Sequence, residues 1–324
     1  MSEAGTLLDR YDSLLVDLDG VVYRGRAALP HAVGSLRSAK AAGLAIAYVT
    51  NNAARPPDAV ASHLRDLGLE VDDADVVTSA QAGAREVAAR VPAGSVVLAV
   101  GGPGVGEALR RRGFEVVERA DQSPVAVVMG FGPDVSWRQL AEASYAVGVG
   151  AVFVATNTDT SIPTARGIAP GNGTLVAAVV AATGRAPIVA GKPFAPLMRE
   201  SIERIDARRP LVVGDRLDTD IEAGHVSGIP SLLVLTGVTT VDGLLDARPE
   251  HRPTFVSTDL RGLSDTRAAT PLGVAEEALG HDDGLAALRG ACVRSWASID
   301  LGRRSPVGDD ERARLAQDVD DALR

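Results

Sequence analysis

Two aspartates end the first long apolar run of the chain, in the stretch LLVDLDGVVY at residues 14–23. An ionised carboxylate in an apolar environment requires a partner or a proton, and aspartate is among the residues least often buried. Since side chains alternate along a strand with a period of two, Asp17 and Asp19 start towards the same side. The pair is a candidate for metal binding or acid–base chemistry, although an aspartate after a strand is also a common turn former or helix N-cap.

Polar residues also end two later apolar runs. The run LAIAYVTNN ends in Thr50, Asn51 and Asn52, and the run PLVVGDRLDTD ends in Asp215 with Asp220 beyond it. Open parallel sheets bind ligands at the carboxyl ends of their strands, so three strand ends with polar groups are expected to meet at one site. Each residue alone could still be a cap or a turn former.

The order of the elements predicts an α/β fold. Strand-like runs alternate with helical stretches, which is typical of a parallel sheet with helices on both faces. The sequence between VTSAQ and IVAGKP has strands and helices of its own. This predicts an inserted α/β cap domain at 81–186 and a core domain formed by 1–80 and 187–264. The remainder, 265–324, is interpreted as a helical appendage that packs on the core or on a second subunit, so a homodimer stays open.

Composition and charge limit the classes of partner. The 324 residues are 46% hydrophobic but only 3% aromatic, which predicts a core of Val, Leu, Ile and Ala. A net charge of −9 argues against nucleic acid and against an anionic membrane surface as partner. The single cysteine, Cys292, excludes an internal disulfide, and no apolar stretch has the length of a membrane helix. A cytoplasmic location is therefore expected.

Four motifs, DLDGVVY, VTNN, GKP and GDRLDTD, occur in this order and together resemble those of the haloacid dehalogenase (HAD) superfamily. Their wording resembles its phosphatases with a large second-type (C2) cap, subclass IIA, which include NagD-like nucleotidases, 4-nitrophenyl phosphatases and phosphoglycolate phosphatases. The stretches VTSAQ, PTARG, PGNGT and GDRLDTDI are most similar to actinobacterial glycerol-3-phosphate phosphatases. The resemblance covers residues 7–262 and implies a Rossmann-like HAD core, an inserted cap and hydrolysis of phosphate esters.

The resemblance also implies roles for the acidic residues. Asp17 would be the nucleophile that forms an aspartyl-phosphate, and Asp19 would protonate the leaving alkoxide and then deprotonate the attacking water. The dehalogenases lack this second aspartate, so Asp19 argues against dehalogenation. Hard oxygen ligands suit Mg²⁺. Its implied ligands are the carboxylates of Asp17 and Asp215 and the Asp19 carbonyl, while Asp220 would hold a metal-bound water or the lysine of GKP.

The same resemblance implies a phosphate-binding group. Thr50 and the backbone of Asn51, with Asn52 beside them and the backbone at Gly20, would donate to the phosphoryl oxygens. Lys192 would supply a compact positive charge able to reach both the phosphoryl group and the nucleophile. It is one of only two lysines in a chain that otherwise uses arginine, although a surface lysine in a loop is the alternative.

The predicted cap contains two stretches of interest. In NTDTSIPTARGIAPGNGT, Asn157 and Arg166 are candidates for contact with the leaving alcohol, against the alternative of a turn followed by a helix start. The glycine-rich stretch VGGPGVGEALRRRG does not satisfy the dinucleotide pattern G-x-G-x-x-G in any register. A tight turn between a strand and a helix is predicted there instead.

The preferred hypothesis is a Mg²⁺-dependent phosphomonoesterase acting on a small phosphate ester, with glycerol 3-phosphate as the first candidate. Phosphoglycolate, 4-nitrophenyl phosphate, nucleotides and sugar phosphates are the alternatives within the same class. A module that binds a phosphorylated ligand without turnover is an alternative of another class, which the complete set of motif residues argues against. A redox Rossmann protein is the last alternative, and the glycine spacing argues against it.

Overall fold

The computed structural model describes residues 5–164, 166–272 and 284–323. Contacts group the described chain into two compact units. The first lies within Met1–Tyr48, Leu64–Glu70 and Ile202–Arg324, and the second comprises Val49–His63 and Val71–Ser201. These boundaries differ from the predicted ones between core, cap and appendage, and that division stays a prediction.

Strands and helices alternate along most of the chain. The strands are β1 (Ser13–Val16), β2 (Tyr23–Arg24), β3 (Ala27–Ala28), β4 (Ala45–Thr50), β5 (Val76–Thr78), β6 (Val96–Val100), β7 (Glu115–Val117), β8 (Ala126–Met129), β9 (Val152–Ala155), β10 (Ser161–Thr164), β11 (Gly167–Pro170), β12 (Ile188–Val189), β13 (Pro210–Gly214), β14 (Ser231–Val234) and β15 (Phe255–Ser257). The helices are α1 (Leu7–Arg10), α2 (Ala32–Ala41), α3 (Pro57–Asp66), α4 (Ser79–Ala88), α5 (Pro103–Arg111), α6 (Trp137–Gly148), α7 (Asn172–Thr183), α8 (Ala195–Arg204), α9 (Glu222–Ser227), α10 (Val241–Leu245), α11 (Gly284–Asp300) and α12 (Asp309–Ala322). Among the described residues, no helix combines the length and apolarity needed to cross a lipid bilayer.

A parallel sheet forms the centre of the first unit, with strands in the order β15-β14-β13-β1-β4. All four residues of β1 are buried, as expected for a strand covered on both faces. Val16 at the end of β1 lies opposite Val213 of β13. Because the two strands are parallel and in register, the residues that follow them leave the sheet at the same edge.

The second unit has its own parallel sheet, with strands in the order β12-β9-β8-β6-β7. The alternation of β8 assigns its two faces. Val127 and Met129 belong to the apolar cluster that includes residues of α6 and α7. Val128, which points the other way, lies with Val154 of β9 against Gly83 of α4. Helices therefore cover both faces, and the predicted α/β class is confirmed.

Two short antiparallel hairpins, β2–β3 and β10–β11, are not among the predicted elements. Both consist largely of exposed or half-buried residues, so they lack the apolar runs from which the other strands were predicted. The β10–β11 hairpin lies between Asn157 and Gly171, in the stretch for which a turn followed by a helix start was the alternative to contact with the leaving alcohol. Its turn is closed by a hydrogen bond of 2.7 Å from the Thr164 hydroxyl to the Gly167 carbonyl.

The two predicted helices of the C-terminal part are α11 and α12, while residues 273–283 of that part lie outside the described residues. The helices pack on the first unit's own core. Leu288 and Trp296 of α11 and Val319 of α12 share one apolar cluster with Leu233 of β14 and Val256 of β15. The alternative in which this pair packs on the core is thus the one observed within the described chain.

Trp296 fixes α11 to this core, and its truncation is expected to destabilise the protein. The side chain is 8% exposed, its indole N–H donates to the Leu244 carbonyl at 2.9 Å, and the Arg252 guanidinium lies 5.2 Å from its ring centre. Trp296→Ala should lower the free energy of unfolding by about 3–5 kcal/mol, measured by urea denaturation. The control Leu301→Ala, at a side chain 68% exposed, should change it by less than about 0.5 kcal/mol. Equal effects of the two substitutions would contradict this role.

Candidate active site

An acidic cluster lies at the carboxyl edge of the first unit's sheet. Asp17 follows β1 and Asp215 follows β13, and each places a carboxylate oxygen within 4.8 Å of the other and of an Asp220 oxygen. Asp215 and Asp220 are buried, and Asp17 is half-buried. Like charges at such distances in a poorly hydrated place repel one another strongly. The cluster therefore needs a cation or bound protons.

Backbone N–H groups hold the carboxylates of Asp215 and Asp220 in place. Asp215 accepts a hydrogen bond of 2.7 Å from the Val238 N–H, and Asp220 accepts one of 3.1 Å from the Arg216 N–H. The Asp17 N–H donates to the Val213 carbonyl at 2.9 Å, which continues the pairing of β1 with β13. The sheet and the loops after it thus set the positions of the three side chains.

Two glycines pack directly against the carboxylate of Asp215. A Cβ atom at Gly237 would lie 1.8 Å from Asp215 Oδ2, and one at Gly20 would lie 2.5 Å from the same oxygen. Gly20 also has a φ of +91°, a conformation that residues with a side chain rarely adopt. Only glycine therefore fits at either position.

The donor set fits a hard divalent cation. Three carboxylates that converge from buried or half-buried positions offer oxygen ligands of the kind that Mg²⁺ and Ca²⁺ prefer, with no sulfur or imidazole ligand in this cluster. The three side chains are three of the four predicted metal ligands. The fourth, Asp19, was predicted to contribute its backbone carbonyl.

Asp19 lies beside the acidic cluster in sequence but in a different environment. The residue is accessible to solvent although part of its surface is covered, and its backbone pairs with Tyr23 in an isolated bridge. Desolvation raises the pKa of Asp19 above its usual value, and the charge of Arg24 and the Gly25 N–H offset this only in part. A carboxyl group with a raised pKa holds its proton more readily, as a general acid requires.

Gly20 was predicted to meet a phosphoryl oxygen through its backbone, and the structure gives its backbone other partners. The Gly20 N–H donates to the Tyr23 carbonyl at 2.8 Å. The Thr236 hydroxyl donates to the Gly20 carbonyl at 2.6 Å. The role of Gly20 in phosphate binding stays a prediction.

In the second unit, the side chain of Asn51 holds the backbone of Lys192. The Asn51 Oδ1 atom accepts from the Lys192 N–H at 2.8 Å, and its Nδ2 atom donates to the Lys192 carbonyl at 3.1 Å. A side-chain amide that bonds to both the N–H and the carbonyl of one residue pairs with its backbone as a neighbouring β-strand does. The two predicted phosphate-binding residues, 141 positions apart in the chain, are therefore directly joined. Lys192 is only 3% exposed, which argues against the alternative of a surface lysine.

The segment Thr50–Asn52 is a tight turn with internal hydrogen bonds. The Thr50 hydroxyl accepts from the Asn52 N–H at 3.1 Å, and the Asn52 side chain accepts from the Ala54 N–H at 2.9 Å. The hydroxyl of Ser79, at the first residue of α4, donates to the Asn51 carbonyl at 2.7 Å. Ser79 was not predicted as a functional residue, although it lies in the motif VTSAQ.

The two predicted contacts to the leaving alcohol have different positions. Asn157 is 4% exposed, and its Nδ2 atom donates to the Asn51 carbonyl at 2.7 Å. Arg166 is exposed in the turn of the β10–β11 hairpin, where its N–H donates to the Thr164 hydroxyl at 3.2 Å. The structure thus brings Asn157 to the predicted phosphate-binding turn. Asn172, which sequence reasoning missed, supports it with a bond of 2.7 Å from its Nδ2 atom to the Asn157 carbonyl.

Two family models match the chain, over ranges that contain these residues. The model described as haloacid dehalogenase-like hydrolase matches residues 14–115, and the model described as HAD-hydrolase-like matches residues 189–263. The first range includes Asp17 and Asn51, and the second includes Lys192, Asp215 and Asp220.

Named relatives resemble the chain over most of its length. D-glycerol 3-phosphate phosphatase of Mycobacterium tuberculosis (strain ATCC 25618 / H37Rv) is 41% identical over 336 residues, 96% of this chain and 94% of the relative. The crystal structure of glycerol phosphate phosphatase from that organism in complex with magnesium has a TM-score of 0.85 and 40% identity, covering 96% and 97% of the two chains. The structure of p-nitrophenyl phosphatase from Archaeoglobus fulgidus has a TM-score of 0.73 and 32% identity, covering 80% of this chain and 99% of that one. The resemblance read from four short motifs is confirmed, and the chain belongs to the haloacid dehalogenase-like hydrolases.

Proposed function

We propose that this protein is a Mg²⁺-dependent phosphomonoesterase that hydrolyses a small phosphate ester through an aspartyl-phosphate. The observation that carries the proposal is the convergence of Asp17, Asp215 and Asp220 at the carboxyl edge of a parallel sheet. A module that only binds a phosphorylated ligand has no need of three carboxylates held close to a dianionic ester. The relatives that are named as phosphatases support the same interpretation.

The carboxylate of Asp17 attacks the phosphorus atom, and the ester oxygen leaves with a proton from Asp19. The products of this step are the free alcohol and a phosphorylated Asp17. Asp19, now deprotonated, removes a proton from water, and the resulting hydroxide attacks the phosphorus of the aspartyl-phosphate. Inorganic phosphate leaves and Asp17 is regenerated. Two displacements with an acid–base group replace one difficult displacement by water.

Mg²⁺ is the proposed cofactor. The residues that would hold it are Asp17 and Asp215 through carboxylates, with Asp220 beside them, and Asp19 through its backbone carbonyl. When bound, the ion offsets the charge of the carboxylates and of the phosphoryl oxygens. The relative solved in complex with magnesium supports this choice.

The phosphoryl oxygens are proposed to bind to the turn Thr50–Asn52 and to Lys192. Thr50 offers its hydroxyl and Asn51 its backbone N–H, with Asn52 beside them, and the backbone at Gly20 is a further proposed donor. Lys192 offers a positive charge, and the Asn51 side chain holds the Lys192 backbone through both its N–H and its carbonyl. Preorganised donors of this kind need no rearrangement as charge develops in the transition state.

Glycerol 3-phosphate is the proposed substrate, because the relative named as its phosphatase matches the chain nearly end to end. Arg166 is proposed to recognise the leaving alcohol. 4-Nitrophenyl phosphate is a second candidate, favoured by the structural match to p-nitrophenyl phosphatase. The proposed location is the cytoplasm, supported by the single cysteine, and a homodimer stays open.

The test is turnover of a panel of phosphomonoesters with and without Mg²⁺. The panel contains glycerol 3-phosphate, phosphoglycolate, 4-nitrophenyl phosphate, a nucleoside monophosphate and a sugar phosphate. We expect Mg²⁺-dependent release of phosphate and the highest kcat/KM for glycerol 3-phosphate. A preference for nucleotides would overturn the substrate and leave the class intact. Binding of the esters without turnover of any of them would overturn the proposed enzyme.

A further inference from the structure

Three neighbouring strands of the second unit's parallel sheet end at the same edge, and the segments after the first two contact each other through backbone atoms. Residues 101–104 follow β6, residues 130–132 follow β8, and Thr156 and Asn157 follow β9. Four glycines fill the first two segments where they meet. A Cβ at Gly132 would lie 2.8 Å from the Gly102 nitrogen, and one at Gly101 would lie 2.5 Å from the Gly130 carbonyl oxygen. One side of the glycine-rich stretch after β6 is therefore closely packed on residues 130–132.

The other side of this stretch contacts residues 53–55, which directly follow the phosphate-binding turn. The Gly104 N–H donates to the Ala54 carbonyl at 3.1 Å. A Cβ at Gly104 would lie 2.5 Å from the Ala53 carbonyl oxygen, and one at Gly102 would lie 2.7 Å from the Ala54 Cα. Neither position has room for a methyl group, and the atoms in the way belong to the backbone. A side chain at Gly104 could be accommodated only if residues 53–55 moved.

The segment after β9 holds the turn itself. The Asn157 Nδ2 atom donates to the Asn51 carbonyl at 2.7 Å, and the Asn172 Nδ2 atom donates to the Asn157 carbonyl at 2.7 Å. Both asparagines are buried. A buried amide that loses its partner costs about 1–3 kcal/mol, so these bonds constrain where the Asn51 backbone lies.

The carboxyl edge of a parallel sheet is the place where such sheets bind a ligand. At this edge, the segment after β6 contacts residues 53–55 and the segment after β9 contacts the Asn51 carbonyl. We propose that Gly104 and Asn157 are positioning residues that fix the turn Thr50–Asn52 for phosphate binding. Gly104 acts through the backbone of residues 53–55, and Asn157 acts through the Asn51 carbonyl. The inference rests on the proposed function, because it is that proposal which assigns this turn to the phosphoryl group.

Two substitutions disturb the turn by opposite means. Gly104→Ala adds a methyl group that pushes on the Ala53 carbonyl. Asn157→Ala adds no atom and removes the bond to the Asn51 carbonyl, together with the 3.2 Å bond that the Asn157 side chain accepts from the Asp159 N–H. Alanine is a better helix former than glycine, so Gly104→Ala does not weaken α5 itself. A displacement of catalytic groups by about 1 Å can lower the rate by about 100-fold. We expect kcat/KM to fall by about 10- to 100-fold in each variant.

The experiment measures three quantities on the purified full-length variants. They are kcat and KM for the ester that the wild-type protein hydrolyses, the affinity for inorganic phosphate by calorimetry, and the affinity for Mg²⁺. The control is Gly148→Ala, at a helical glycine of α6 where an added Cβ would meet no atom within 4 Å. We expect both variants to bind phosphate at least about tenfold more weakly than the control. Mg²⁺ affinity, which depends on the carboxylates of the first unit, should stay within about twofold of the control.

Two results would overturn the inference while the proposed function stands. One is a wild-type protein that hydrolyses esters and variants whose phosphate affinity and kcat/KM equal those of Gly148→Ala. The other is an equal loss of Mg²⁺ and phosphate affinity, which would indicate general destabilisation in place of positioning. A wild-type protein without phosphatase activity would overturn the proposed function instead, so the two failures are distinguishable.

Discussion

Asp17→Asn is expected to lower phosphomonoester turnover by at least about 10⁴-fold, because the amide cannot accept a phosphoryl group as a carboxylate does. The substitution keeps the size and shape of the side chain. It also replaces one charged oxygen of the acidic cluster, so Mg²⁺ affinity should fall as well. Steady-state release of phosphate from the preferred ester, measured at saturating Mg²⁺, separates the loss of the nucleophile from the loss of metal.

Asp218→Asn is the matched control, since Asp218 lies in the same motif as Asp215 and Asp220. Its side chain is 59% exposed, and it pairs with the Arg216 guanidinium at 3.0 Å and 2.9 Å. An exposed ion pair contributes about 0–1 kcal/mol, so activity should stay within about threefold of wild type. Wild-type turnover by the Asp17→Asn protein would refute the aspartyl-phosphate mechanism.

Asp19→Asn is expected to affect esters according to their leaving groups. An alkoxide such as that of glycerol 3-phosphate leaves poorly without a proton, so its turnover should fall by about 10²- to 10⁴-fold. Nitrophenolate leaves without protonation, and Asp17 should still be phosphorylated by 4-nitrophenyl phosphate at close to the normal rate. The second step needs Asp19 as a base and should become slow.

Rapid mixing can separate these two steps. The Asp19→Asn protein should release one equivalent of nitrophenolate in a burst and then turn over slowly, with phosphorylated enzyme accumulating. With glycerol 3-phosphate no burst of glycerol should appear. Equal losses in the first turnover of both esters would contradict the assignment of Asp19 as the general acid and would indicate a role in metal binding alone.

The acidic cluster could be predicted from the sequence because its geometry follows from a local rule. Apolar runs that end in Asp17 and Asp215 predict strands, and parallel strands in one sheet end at the same edge. Asp220 lies five residues after Asp215, in the short helical segment Leu217–Ile221 that follows β13. Asp17 and Asp215 are far apart in the chain, and the pairing of β1 with β13 is what brings them together.

The phosphate-binding turn was predicted as a set of residues but not as an arrangement. Asn51 was assigned through its backbone, whereas its side chain holds Lys192. Asn157 was assigned to the leaving alcohol, which stays a prediction, and its amide donates to the Asn51 carbonyl. A polar residue in a loop has the same sequence signal whether it meets a ligand or a backbone carbonyl more than a hundred residues away. Long-range packing decides between the two, and a single sequence contains no record of it.

The contacts of the glycines after β6 could not be predicted from the sequence either. A strand, a tight turn and a helix were predicted around Gly102 and Gly104, and β6 and α5 lie there. The backbone contact with residues 53–55 was invisible, since nothing local distinguishes a glycine that allows a turn from one that allows another segment to approach. In both cases the missed information is the identity of the neighbour.

The close packing of Gly20 and Gly237 on the carboxylate of Asp215 has a consequence for how this scaffold can change over evolution. Neither position accepts even one added carbon, so substitution of these two glycines offers no route to a new substrate. Variation that alters which alcohol is released must arise in exposed parts of the chain such as the β10–β11 hairpin, where added or exchanged side chains find space. A library for redesign should therefore leave both glycines fixed and diversify that hairpin.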